Sequence, residues 1–219
     1  MSYLLKLFHD TLETESEVIP GVETQHSIIY VFKGRVDINS QAVEEGTAVY
    51  VGDFATVKTG KTATTLWRWE LVPENDPIHL LKGKGVKTVL KLSRKIKMFE
   101  LVPTSRWLFR LDGIINHEGA TGFHSHLGSG IRCLVEGQIR VFSNKGECSD
   151  NTKPGDTWYE EGAYPVASTS DPGNKATFLR VMILPPEYED NPNTLVIIGK
   201  NSTAKSQRKD YVQKIITLR

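Results

Sequence analysis

His124 and His126 stand two residues apart in the segment G-A-T-G-F-H-S-H-L-G-S-G-I-R-C-L-V-E-G, residues 119–137. Residues i and i+2 of a strand project from the same face. The two imidazoles therefore form a candidate corner for a metal ion or a ligand inside a β-barrel, just ahead of an apolar strand that ends at Gly137. His117 lies seven residues before His124. The stretch between them, Glu118 to Gly122, reads as a turn, and His117 reads as exposed. His9, His26 and His79 have no partner at ligand spacing and read as surface or half-buried histidines.

The elements that must position this pair are strands. Short β-rich runs recur, among them Ser27 to Phe32, Ala63 to Val72 and Phe178 to Leu184, separated by Gly, Pro, Asn and Asp. That pattern predicts an all-β sandwich or barrel. The 219 residues make one large domain or two small ones, and either buries a core without staples. A net charge of +1 gives no argument for nucleic acid or acidic partners. No apolar run reaches membrane-spanning length, and the residues from Met1 to Phe8 do not make a signal peptide. Cys133 and Cys148 read as free thiols, which points to a reducing compartment and a cytoplasmic address.

An internal repeat is visible. Ile29-Tyr30-Val31-Phe32-Lys33-Gly34-Arg35-Val36 resembles Arg132-Cys133-Leu134-Val135-Glu136-Gly137-Gln138-Ile139. Trp67-Arg68-Trp69-Glu70-Leu71-Val72-Pro73 resembles Leu179-Arg180-Val181-Met182-Ile183-Leu184-Pro185. Each copy continues into an acidic turn with Pro and a further apolar run. The expected units are 1–95 and 96–219.

These motifs resemble those of the cupins, and the whole chain resembles a bicupin. The resemblance implies two tandem antiparallel double-stranded β-helix (cupin) barrels. In metal-binding cupins, two His of a first motif, its Glu and a later His hold one divalent ion. Here the H-x-H is His124-Ser125-His126, the closing Gly is Gly137, and Pro154-Gly155-Asp156 opens the second motif. Gly130 stands where the Glu is expected and Val166 where the later His is expected. The first unit lacks the H-x-H, with Gly21 and Glu23 in the comparable places, and is degenerate in that sense.

A carboxylate from elsewhere would restore a two-His-one-carboxylate set, which suits Fe, Mn, Ni or Zn. The candidates are Glu160 and Glu161, of which at most one points inward. Glu160, in register with Trp158, is the favoured one, giving His124, His126 and Glu160 as the metal set; the alternative has both glutamates capping a turn in solvent. If Gly130 faces the barrel interior, so does Arg132. It then pairs with Glu160 or grips a substrate carboxylate; otherwise it lies outward on a solvated face. Gly130 leaves space for a ligand oxygen or a water. Phe123, Trp158, Tyr159 and Tyr164 read as core or rim packing. Arg132, Trp158 and Tyr159 are the candidate ligand-binding residues.

Seven basic residues and no acids lie between Pro77 and Phe99, and the tail carries Lys200, Lys205, Arg208, Lys209, Lys214 and Arg219. Lysines on edge strands block edge-to-edge pairing. Single-strand-binding aromatics are not interleaved with them, which argues against nucleic acid. The tail is free to extend a sheet of the other unit or of a second chain, and the resemblance implies a homodimer. Two functions compete. One is a divalent-metal enzyme with dioxygenase-like chemistry on a small organic anion such as a carboxylate. The other is a non-catalytic small-ligand-binding or regulatory bicupin that has lost metal chemistry.

Overall fold

The structure is a computed structural model that describes residues 2–18, 22–23, 26–78, 80–96, 105–191, 194–199 and 202–218, with backbone alone at 22–23. Gly21, the side chain of Glu23, His79, Lys97, Lys200 and Arg219 therefore lie outside the described residues. The chain divides into two compact units, Met1–Ile96 and Lys97–Arg219. Among the described residues there is no α-helix, so none is long and apolar enough to cross a membrane.

The first unit is built on β1 (Tyr3–Leu12), β2 (Val22–Glu23), β3 (Ser27–Lys33), β4 (Arg35–Ile38), β5 (Gln41–Glu44), β6 (Ala48–Val51), β7 (Phe54–Ala55), β8 (Val57–Lys58), β9 (Thr64–Pro73) and β10 (Val86–Lys95). Its main sheet has the order β10-β1-β9-β3-β6, and a smaller sheet runs β5-β4-β8. Leu12, Ile29, Val31, Val36, Val51, Val57 and Leu66 form a buried aliphatic cluster between them. Period-2 alternation along β9 explains the placement: Leu66, Arg68 and Glu70 share one face and Trp67 and Trp69 the other.

The second unit follows the same plan. Its strands are β11 (Arg106–Ala120), β12 (His124–His126), β13 (Ser129–Glu136), β14 (Ile139–Ser143), β15 (Cys148–Asn151), β16 (Thr157–Glu160), β17 (Val166–Ser170), β18 (Ala176–Leu184), β19 (Leu195–Ile197) and β20 (Lys205–Thr217). Strands β20-β11-β18-β13-β16 lie side by side in the order of β10-β1-β9-β3-β6. Strands β15-β14-β17, with β12 and β19, form the facing half. The all-β, two-barrel architecture expected from the sequence is the one found.

Two glycines explain why the repeat reads through at Gly34 and Gly137. Both adopt positive φ, +86° and +75°. A Cβ on Gly34 would lie 2.5 Å from the Ala63 carbonyl oxygen, and one on Gly137 would lie 1.9 Å from that of Lys175. Only a residue without a Cβ turns the chain there. Among the described residues the basic segments are edge strands: β10 pairs only with β1, and β20 only with β11. The tail thus pairs within the sheet of its own unit.

Candidate functional site

Strand β12 carries the H-x-H. It pairs with β17 through His124 and Val166, and with β19 over Leu195–Ile197. The two imidazoles sit edge to face, with ring centroids 5.0 Å apart. His124 donates from Nδ1 to the Gly122 carbonyl at 2.9 Å, which leaves Nε2 as its second nitrogen. Both rings line a cavity of about 160 Å³ inside the second barrel. Its walls are mostly apolar, with Ile139, Val166, Trp158 and Phe178, while Glu160 and Arg180 supply charge. Leu195 and Ile197 edge the cavity, and Ile197 is 75% exposed.

Glu160 is buried and faces this interior because β13 and β16 pair with Gly130 opposite Glu160 and Arg132 opposite Trp158. Its Oε1 accepts from Trp158 Nε1 at 2.8 Å. Its Oε2 lies 2.7 Å from His126 Nε2 and 2.8 Å from Arg132 Nη2. Both contacts lie off the N–H axes, since Oε2 has no aligned hydrogen-bond donor, and the one to Arg132 is an ion pair. Burial alone would raise the Glu160 carboxyl, but the Arg132 charge and His126 outweigh it and hold the acid well below the usual carboxylate range. Burial pushes His126 down to about 4 against the pull of Glu160, so the ring is neutral at pH 7.

Arg132 decides what this cluster does. Its side chain is 0% exposed. Nη1 donates to the Gly130 carbonyl at 2.6 Å and Nη2 faces Glu160. Burial pushes its guanidinium down, and Glu160 opposes that. The space expected at Gly130 is filled: a Cβ there would lie 2.0 Å from the Val181 carbonyl oxygen and 3.0 Å from Arg132 Nη1. Arg132 does not line the cavity, so the expected grip on a substrate carboxylate is not built at that residue.

The residues do not fit a metal ion as arranged. Among the described residues no three His, Cys, Asp or Glu side chains come together to hold one. The physical reason is that Glu160 Oε2, the oxygen a metal would need beside His126, already faces a guanidinium. A second cation on that oxygen would be repelled.

The remaining candidates divide by strand alternation. Trp158 lines the cavity, packing against Phe178 with centroids 5.3 Å apart. Tyr159, one residue on, pairs with Ile131 on the opposite face and is not part of the lining. Glu161 likewise turns away, 3.5 Å from Lys145. Phe123 and Tyr164 are exposed. His117, read as exposed, is buried and lines the cavity, with Nδ1 3.2 Å from Ser170 Oγ and Nε2 3.4 Å from Ser168 Oγ. Strand β11 runs on past His117 to Ala120, well into the supposed turn, and carries the ring inside.

One site residue escaped the sequence reading altogether. Arg180 lines the cavity and forms a two-point pair with Asp112, Nε to Oδ1 at 2.7 Å and Nη2 to Oδ2 at 3.0 Å. The signal was present: the internal repeat sets one Arg, at 68 and at 180, amid each apolar strand, and a buried Arg requires partners.

No protein-family model and no curated protein matches this sequence. Solved structures do. A vicilin from Solanum lycopersicum (tomato) is 9% identical with a TM-score of 0.55, over 82% of this chain and 74% of its own. AerE from Microcystis aeruginosa is 10% identical with a TM-score of 0.55, over 81% and 87%. An oxalate decarboxylase is 12% identical with a TM-score of 0.52, over 81% and 68%. At such identities the likeness is one of fold, and that fold is the β-barrel fold of cupin proteins.

Proposed function

We propose that the second barrel is a small-molecule binding module that works without a metal ion, and that the first barrel is its site-less companion. The observation that carries this reading is the buried guanidinium of Arg132 on Glu160, 2.8 Å from the oxygen a metal would share with His126. The cavity supports it in size and character. Apolar cavities on the order of 150 Å³ admit a single aromatic ring, and binding sites for small molecules are largely apolar with a few placed polar groups. The alternative of a divalent-metal enzyme rests on His124 and His126 alone, which is half of the usual ligand set.

The test has two parts. Elemental analysis after loading with Fe(II), Mn(II), Ni(II) and Zn(II) is expected to find no stoichiometric metal. Ligand-observed NMR with toluene and benzyl alcohol is expected to show saturable binding that EDTA leaves unchanged and Val166→Trp abolishes. About one ion per chain, lost in His126→Ala, would overturn the metal-free reading in favour of the enzyme.

The homodimer belongs to the same proposal. Among the described residues β19 pairs on one side only, and Leu195, Val196, Ile197 and Ile198 are exposed in succession. Such an edge invites pairing. Light scattering of the full chain is expected to report a dimer, and Val196→Lys a shift toward monomer; a monomeric wild type rejects this part.

A further inference from the structure

The two barrels place an arginine at the same point of the same strand. Ile29 faces Arg68 across β3 and β9, and Arg132 faces Arg180 across β13 and β18. In the first barrel Arg68 is saturated. Its Nε donates to Asp10 Oδ2 at 2.7 Å, Nη2 to Asp10 Oδ1 at 3.2 Å, and Nη1 to Glu70. Its side chain is 0% exposed. One guanidinium thus meets two carboxylates.

The second barrel lacks the second carboxylate. The register that sets Ser27 opposite Glu70 sets Gly130 opposite Met182, so Met182 stands where Glu70 stands in the first barrel. Arg180 keeps the Asp112 pair through Nε and Nη2. Nη1 takes no part in it. Solvent reaches 8% of the Arg180 side chain, and that residue lines the cavity. The local charge is also reversed. Arg110 and Arg208 approach the same Asp112 at 3.4 and 3.3 Å, with Asp210 on Arg208. With the Arg132–Glu160 pair beside them, four guanidiniums meet three carboxylates, where the first barrel has one against two.

We infer that the ligand of the second barrel is a small carboxylate with an apolar body, and that its carboxylate takes on Nη1 of Arg180 the part that Glu70 plays on Arg68. This rests on the small-molecule reading of the cavity and names the ligand class for it. The apolar body lies against Phe178, Trp158 and Val166, which line the same cavity. Arg180 is the residue that reads the anion, a role the sequence had pointed toward Arg132. Asp112 is a positioning residue: it holds the guanidinium plane by two nitrogens and leaves the third outside the pair.

Benzoate and its neutral isostere benzamide are the probes, titrated by ligand-observed NMR at pH 7 into wild type and Met182→Glu. Met182→Glu rebuilds the first barrel's Glu70 and satisfies Arg180 from within. Wild type is expected to bind benzoate at least about tenfold more tightly than benzamide, the scale of one charge-assisted hydrogen bond. Met182→Glu is expected to lose that preference. Side-chain N–H resonances of Arg180 are expected to shift with benzoate and not with benzamide. Equal binding of the two probes to wild type overturns the inference and leaves the cavity reading standing. Binding of neither probe, nor of toluene, overturns the cavity reading itself. A folded Met182→Glu that keeps the benzoate preference also overturns the inference, and should that variant not fold, the wild-type comparison alone decides.

Discussion

The two barrels share a strand order and differ in what fills them. In the first, the positions that correspond to Arg132, Trp158 and Glu160 are Ile29, Val49 and Val51, set by the same cross-strand pairs. They join a buried aliphatic cluster. In the second, the same positions hold a charged pair and an indole beside a cavity. The sheet does not require polar groups there, since one copy does without them. Buried ion pairs are weak sources of stability, so a charged pair at these particular positions in the second barrel alone points to binding.

The largest effect is expected where one cation serves two acids. Arg68→Ala strands Asp10 and Glu70 in the first barrel and should cost at least about 4 kcal/mol in urea unfolding, above the midpoint for a single broken buried pair. A loss below about 1 kcal/mol would mean that the first barrel does not depend on its charge cluster.

Next comes a conversion of one barrel into the other. Arg132→Ala should cost about 3–5 kcal/mol, because Glu160 is left buried and unpaired. Arg132→Ile combined with Glu160→Val copies the first barrel and should cost about 2 kcal/mol or less, because an aliphatic pair carries no stranded charge. If the double variant is no more stable than Arg132→Ala, the two interiors are not interchangeable and the comparison fails.

Acid should unsettle both barrels in the same direction. Burial lowers His126 to about 4, and burial with Lys91 lowers His9, stacked on Trp67, to about 4. A histidine whose folded pKa lies below its unfolded value of 6.5 binds more protons unfolded. Its stabilising contribution is therefore whole above pH 6.5 and is lost as pH falls toward 4. Glu160, also held low, adds a loss below the unfolded carboxylate range. Urea midpoints at pH 7, 5.5 and 4 should fall in that order, and His126→Gln should flatten the slope between pH 6.5 and 4. A stability that rises on acidification would contradict the buried neutral state.

The smallest effect belongs to exposed charge. Lys58 and Glu17 lie 2.8 Å apart, but more than half of each side chain is in solvent. Glu17→Ala should change stability by less than about 1 kcal/mol, and salt should erase the difference. A larger change would show that proximity, rather than burial, sets the scale of the other effects.

Much of the frame was legible in the residues. Alternating apolar runs gave strands, the order of repeated motifs gave two barrels, and period 2 brought His124 and His126 to one face. The same alternation separated Trp158 from Tyr159 and Glu160 from Glu161, because adjacent strand residues must face opposite ways. The lysine-rich runs read as edge strands for a physical reason as well: a charged side chain beside an open edge is hydrated there.

What a linear reading cannot reach is the choice of partner among inward-facing groups. Arg132 and His126 compete for one oxygen of Glu160, and the meeting of the three depends on the register of β13 against β16 and the placement of β12. Arg180 and Asp112 lie 68 residues apart and meet only because β18 lies beside β11. His117 is drawn inside because β11 continues through a stretch rich in glycine. The sequence alone thus determined the strands, their faces and their repeat, which are local consequences of side-chain period. Tertiary structure decided that a guanidinium faces Glu160 Oε2 where a metal would sit, and that a second guanidinium is held at the cavity with one nitrogen outside its pair.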